Sequence, residues 1–216
     1  QKMVMKRECL ADKGIWTGKK HYLLNVHDNE GVRYAKPSLK VMGIEAIKSS
    51  TPTACRTKLR EAFNLIMETD EITVQNFIKN FREEFENSPV EDIAFPRSVK
   101  NISKYSDNMR VYQKATPIHV RGSILHNHFL KKFKLTKKYP LIQEGEKIKF
   151  VYLKSPNPIK ENVIAMMNGL PKEFQLDSYI DYETQFNKSF RDPLADILKT
   201  IGWSPEHINT LSAFFK

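Results

Sequence analysis

Two short motifs combine residue types that can do chemistry. His126-Asn127-His128 offers two imidazoles able to ligate a metal, but no third ligand stands at a fitting spacing, so a solvated or phosphate-contacting role is expected. Glu68-Thr69-Asp70-Glu71 gathers three carboxylates of the kind that hold Mg²⁺. It falls between two amphipathic stretches, where acidic residues cap helices, and is read as a solvated capping loop. The sequence has no Walker loop, no GxGxxG, no GxSxG, no HExxH and no CxxC pair, so the enzyme classes that carry such signatures are unsupported. Cys9 and Cys55 lack metal-ligand spacing and are too few for a disulfide framework, which reads as reduced thiols.

Charge points to a different kind of chemistry. The chain has 216 residues and a net charge of +10, and the excess is not spread evenly. Residues 1–50 carry +5, 51–96 carry −4, 97–160 carry +12 and 161–216 carry −3. Interspersed signs would mark a bland solvated surface, whereas segregated basic blocks mark a polyanion site, nucleic acid before an acidic membrane or protein.

The elements that must position those charges follow from periodicity. With 40% hydrophobic and 28% charged residues the chain can bury a core, and its length suits one compact body plus a smaller subdomain. From Ile15 onward a β-hairpin is predicted, with Tyr22–Val26 before the turn Asp28-Asn29-Glu30-Gly31, Val32–Tyr34 after it, and Pro37 as its end. Thr51 and Pro52 open a helix carrying Leu59, Phe63, Ile66 and Met67; a second, capped by Thr73, carries Val74, Phe77, Ile78, Phe81 and Phe85 toward the core. Residues 90–140 are basic, aromatic and weakly periodic, and are read as ordered loops with short helical turns. Lys147–Lys154 alternates as a strand and Val163–Met167 can pair with it. Asp177 is the expected cap of a helix reaching Phe190, and Asp192-Pro193 starts another that Gly202 closes. The fold class is therefore α+β. No apolar run reaches membrane length and no signal peptide is seen, so a soluble protein of the cytoplasm, without membrane partners, is expected. Gln1 is no initiator methionine; a start at Met3 or Met5, or an added scar, is expected.

Specific segments carry a resemblance. Trp16-Thr17-Gly18-Lys19-Lys20-His21-Tyr22, then LNVHDNEGVRYAKPSLKVMG, then Lys48-Ser49-Ser50-Thr51-Pro52, are similar to the palm end and thumb start of a tailed-phage family B replicative DNA polymerase. NISKYSD, PIHVRGSILHN, EGEKIKFVYL, LDSYIDY and FRDPL extend the likeness in order to the C-terminus. The family's lysine-lysine-arginine-tyrosine motif reads Lys19-Lys20-His21-Tyr22, and an imidazole at its third position does not replace a permanently charged fork. Tyr179-Ile180-Asp181-Tyr182 looks superficially like an acidic polymerase motif, but it is placed on a helix rather than a hairpin tip and is read as structural.

The resemblance implies a β-hairpin palm remnant over residues 1–43 and a mainly helical thumb with a short inserted sheet over 44–216. It implies no catalytic residue here: the aspartates that hold Mg²⁺ in the complete polymerase would lie in a separate or missing N-terminal half, with the fingers and exonuclease. No metal or other cofactor is expected on this chain alone. The partners implied are primer–template duplex DNA, that N-terminal half and a sliding clamp. Lys19, Lys20, His21 and Tyr22 match the minor-groove motif at the primer end. Lys48, Ser49, Lys100, Asn101, Lys104, Tyr105, Lys114, His119, Arg121 and Asn127 match phosphate-contacting positions. Leu211, Phe214 and Phe215, in the tail 209–216, match a clamp-binding peptide. The alternative from another class is a freestanding basic module that clamps duplex DNA or structured RNA without a polymerase partner.

Overall fold

The computed structural model describes residues 5–44 and 48–207. Strands β1 (Cys9–Gly18), β2 (His21–Asn29) and β3 (Val32–Met42) lead into helices α1 (Thr53–Glu68), α2 (Glu71–Glu86) and α3 (Val90–Ile93). Then come β4 (Phe95–Ser98), α4 (Ile102–Tyr105), the two-residue strands β5 (Ser106–Asp107) and β6 (Val111–Tyr112), and α5 (Ile118–Lys132). Strands β7 (Lys147–Tyr152) and β8 (Val163–Met166) and helices α6 (Tyr182–Phe186) and α7 (Asp192–Thr200) complete the order. The α+β class is as the sequence implies. Two compact units form: one from residues 1–48, 55–83 and 190–216, the other from 49–54 and 84–189.

In the first unit β1, β2 and β3 make an antiparallel meander, so the predicted hairpin is one strand short. Strand β1 escapes sequence reading because it is exposed along most of its length, with Ile15 its buried residue; without a buried face there is no alternation to read. Pro37 does not end β3 either. The ladder passes from Val26↔Ser38 to Asp28↔Arg33, leaving residues 34–37 as a bulge where a missing N–H breaks no ladder bond. Helix α1 buries Leu59, Phe63 and Ile66, and α2 buries Val74, Ile78 and Phe81, at the spacing of one helical face. Asp70, not Thr73, caps α2: its carboxylate accepts the Thr73 N–H at 2.9 Å. That outcome fits the capping role expected for the acidic run at 68–71. Phe81 meets Phe190 edge to face at 4.7 Å. Glu206 accepts from both Arg82 and Arg191, at 2.9 and 3.0 Å.

The second unit is built on the antiparallel sheet β4-β7-β8, with the pairing of β7 and β8 that the sequence predicts and β4 added at the other side of β7. Helix α5 corrects the reading of 90–140 as loops. Gly122, Ser123 and His126 are buried along with Val120, Ile124, Leu125, Phe129 and Leu130, so small and polar residues dilute the helical period on the inward face. Gly122 lets α5 approach β8, since a Cβ there would come within 3.0 Å of the Ala165 nitrogen. Asp181, rather than Asp177, caps α6, accepting from the Thr184 N–H at 3.0 Å and its hydroxyl at 2.7 Å. Gln185 is fully buried and satisfied, donating to the Ile93 carbonyl at 2.7 Å and accepting the Tyr152 N–H at 3.2 Å. Helix α7, which belongs to the first unit, begins at Asp192-Pro193 as read, and Gly202 follows it with a φ of +77°.

Candidate nucleic-acid interface

In the first unit the candidate residues sit at the β1–β2 turn. Gly18 pairs with His21, so Lys19 and Lys20 form a two-residue hairpin loop, with Lys20 in the left-handed region at φ +64°. Both lysines and His21 are exposed, and Tyr22 is half-buried opposite Trp16 on β1 and Met42 on β3. Two cations are thereby presented at a rigid tip with an aromatic residue behind them. Lys48 is also exposed. Strands β1 and β3 are the sheet's two edges, and among the described residues each pairs with β2 alone. Leu10, Trp16, Val32, Tyr34 and Met42 on those edges are all exposed, Trp16 and Val32 at 59% and 63%.

In the second unit a cationic cluster gathers around an aromatic surface. Helix α5 opens at Pro117 with no acidic residue in its first turn and no side-chain cap, and His119 and Arg121 stand in that turn. The Arg121 guanidinium donates to the Asn162 Oδ1 at 2.6 Å and lies 5.7 Å from the centre of the Tyr112 ring. The Tyr112 hydroxyl meets Glu161 at 3.0 Å, and burial and that carboxylate push its pKa up. Arg97, on β4, donates to the Ser50 carbonyl at 2.6 Å and lies 5.9 Å from the Phe95 ring. Burial first, then the Arg97 charge, holds His119 below the usual histidine value. Burial raises the Tyr152 hydroxyl, and Arg97 and Arg121 both act against that rise. Lys188 lies 5.7 Å from the same ring. Two guanidinium groups, one ammonium group and the His119 imidazole thus share one patch with Tyr112 and Tyr152, which suits repeated phosphates better than any single small anion.

The remaining candidates separate. Lys100, Asn101 and Lys104 are exposed and Tyr105 is half-buried at the short helix α4, with the Lys104 ammonium 5.5 Å from the Tyr105 ring. The backbone N–H groups of Asn101 and Ile102 are occupied by Glu144, so side chains rather than amides are available there. Lys114 is exposed in the turn ahead of α5. Ser49 is exposed one residue before the carbonyl that Arg97 grips, and precedes α1 instead of capping it. Asn127 stands apart, because its amide both donates to the Ile142 carbonyl and accepts the Ile142 N–H, each at 2.8 Å. His126 is buried, not solvated, and its neighbour His128 lies two residues on along a helix, on a different face. Among the described residues no three His, Cys, Asp or Glu come together in a metal-binding group. Leu211, Phe214 and Phe215 lie outside the described residues.

Arg97, Tyr112, Tyr152 and Lys188 were not singled out in the sequence. Tyr152 reads there as one more core residue on the inward face of β7, and Arg97 as one charge among many. The available signal was the alternation of Phe95 and Arg97 on a four-residue strand too short to register as one.

No protein-family model matches the chain. Two curated relatives do. The "DNA-directed DNA polymerase" of Enterobacteria phage T4 is 35% identical over 206 residues, 94% of this chain and 22% of that protein. The protein of the same name from Escherichia phage RB69 is 38% identical over 205 residues, 89% of this chain and 22% of its own length. The chain thus spans about a fifth of the length of the relatives it matches.

Proposed function

We propose, from the premise that the chain is homologous over nearly all its length to one portion of the phage family B DNA-directed DNA polymerases, that it is the duplex-gripping part of such an enzyme. Residues 1–43 act as the end of the palm and residues 44–216 as the thumb. The observation that carries this reading is the patch of Arg97, His119, Arg121 and Lys188 around Tyr112 and Tyr152 at the uncapped head of α5. A replicating enzyme must hold every sequence equally, so its grip belongs on phosphates, which carry charge and no sequence information.

Lys100, Lys104 and Lys114 add exposed charge to the same unit, and Ser49 a hydroxyl. At the β1–β2 tip, Lys20 tests the minor groove near the primer end, where A·T and G·C pairs share acceptors. Nucleotide addition is carried out with an N-terminal half that supplies the catalytic aspartates and their Mg²⁺. The exposed edges of β1 and β3 support that division, since unpaired edges bearing Trp16, Val32 and Tyr34 are surfaces to be covered. The same edges weigh against a freestanding module. The experiment is a salt titration of binding to primer–template duplexes of unrelated sequence: a steep, sequence-independent loss of affinity is expected, and a preference for one short sequence would remove the reading.

A further inference from the structure

The densest run of positive charge in the chain takes no part in the patch described above. Lys131, Lys132, Lys134, Lys137 and Lys138 fall within eight residues at the close of α5. All five are exposed. The helix dipole accounts for Lys131 and Lys132 in the last turn, but not for Lys134 and Lys137 beyond it. Lys138 is compensated by Glu173 at 2.6 Å, and that contact first, with hydrogen bonds from the backbone and the Tyr139 hydroxyl, holds the carboxyl down to about 2. None of the other four side chains makes an ion pair or a side-chain hydrogen bond among the described residues.

Among these lysines stands an aromatic ring that the fold leaves open. Phe133 is 44% exposed, stacked on Phe129 at 5.9 Å and supported from the side by Phe174 at 6.1 Å. A ring held from behind and bare in front, between ammonium groups, is a platform for a flat π-system with a negative backbone. One ring removed from it, through Phe174, His126 meets that ring at 5.8 Å and lines, together with Lys138, Tyr139, Asn168 and Lys172, a cavity of about 460 Å³ that Phe133 itself does not line. That is ample for one unstacked base. Phe133 and Arg121 are twelve residues apart on and just past α5, about 18 Å at 1.5 Å per residue.

We infer that the Lys131–Lys138 segment with Phe133 binds single-stranded nucleic acid, on a surface distinct from the duplex-gripping patch. The strand runs along the lysines and one base stacks on Phe133. Bases inside a duplex cannot do this, because both their faces are covered by neighbouring pairs. The inference goes beyond the duplex reading and uses none of its residues.

The test is fluorescence anisotropy with a labelled oligothymidylate, a blunt duplex, and phosphatidylserine vesicles as the competing polyanion. Phe133→Leu keeps an apolar contact with Phe129 and Phe174 but removes the stacking face. It is expected to weaken oligothymidylate binding at least about fivefold while changing duplex affinity less than about twofold. The combined Lys131→Ala, Lys134→Ala and Lys137→Ala variant, at exposed positions that hold nothing in the fold, should flatten the salt dependence of oligothymidylate binding. Equal losses on both nucleic acids, no loss on either, or Phe133-dependent binding to vesicles alone would overturn the inference. Arg121→Ala keeps the two readings apart. If it leaves duplex binding intact while Phe133→Leu weakens the single strand, the duplex reading fails and this one stands.

Discussion

Gly43 packs directly against His21. A Cβ at position 43 would overlap the His21 ring and the Lys20 carbonyl, and the backbone there sits at φ +70°, in the left-handed region. The β1–β2 tip is thus braced by the segment that leaves β3. Gly43→Ala adds both the backbone strain and the overlap, and should cost about 1–3 kcal/mol of stability. Chemical denaturation reads it. An unchanged midpoint would mean that the tip shifts freely, and that Lys19 and Lys20 are not held in place.

Arg121 is oriented by Asn162 and by the Tyr112 ring, so its charge is presented in a fixed direction. Arg121→Ala should weaken duplex binding and lower the slope of log affinity against log salt by roughly one unit. Asn162→Ala leaves the charge but releases its orientation, so it should weaken binding less and leave the slope alone. A slope unaffected by Arg121→Ala would take that residue out of the phosphate contacts.

What the sequence made legible was mostly what has a strong period. The Val74, Phe77, Ile78, Phe81 and Phe85 stripe, of which Phe77 alone is only half-buried, and the β7–β8 pair are legible because each buries one regular face. Helix α5 is not, because Gly122, Ser123 and His126 occupy inward positions that packing against β8 demands and hydrophobicity does not announce. The candidate interface was legible in part for a related reason. Charge density located the second unit's basic block, and the resemblance picked His119 and Arg121. Tertiary packing alone shows that Asn127 is engaged by Ile142 and that Arg97 and Lys188 approach Tyr152 or its neighbours.

Buried His126 carries a pH dependence with a definite sign. Burial holds its pKa below the usual 6.5, although the Ala165 and Pro140 backbones act in the opposite direction, and His119 is lowered in the same way. The unfolded chain therefore takes up protons near pH 6.5 that the folded chain refuses until lower pH. Stability is complete above about 6.5 and is lost as pH falls from there through the folded-state values. Denaturant midpoints measured from pH 8 to pH 5 should decline in that window, and His126→Leu should shallow the decline. A variant that parallels the parent across the window would assign the loss elsewhere.

Catalysis offers a direct check on the division of labour. Purified chain should extend no primer, because metal-assisted nucleotidyl transfer needs carboxylates holding two ions. Adding the proposed N-terminal half, taken from the matched polymerase, should restore extension. Lys20→Ala should then lower extension by the reconstituted enzyme more than it lowers duplex affinity, since a minor-groove contact at the primer end acts on the reacting geometry. Template-directed extension by the chain alone would overturn the proposed division.

We propose, on the resemblance alone, that the tail Asn209-Thr210-Leu211-Ser212-Ala213-Phe214-Phe215-Lys216 is a peptide that docks on a sliding clamp, though it lacks an acidic residue among the aromatics. Leu211, Phe214 and Phe215 stand at the i, i+3, i+4 spacing of one helical face, and adjacent phenylalanines are costly in water unless a pocket receives them. Deleting residues 211–216 should leave duplex affinity and melting temperature nearly unchanged while abolishing stimulation of the reconstituted polymerase by its clamp. If the melting temperature instead falls by several degrees, the phenylalanines belong to this chain's own core and the clamp assignment fails.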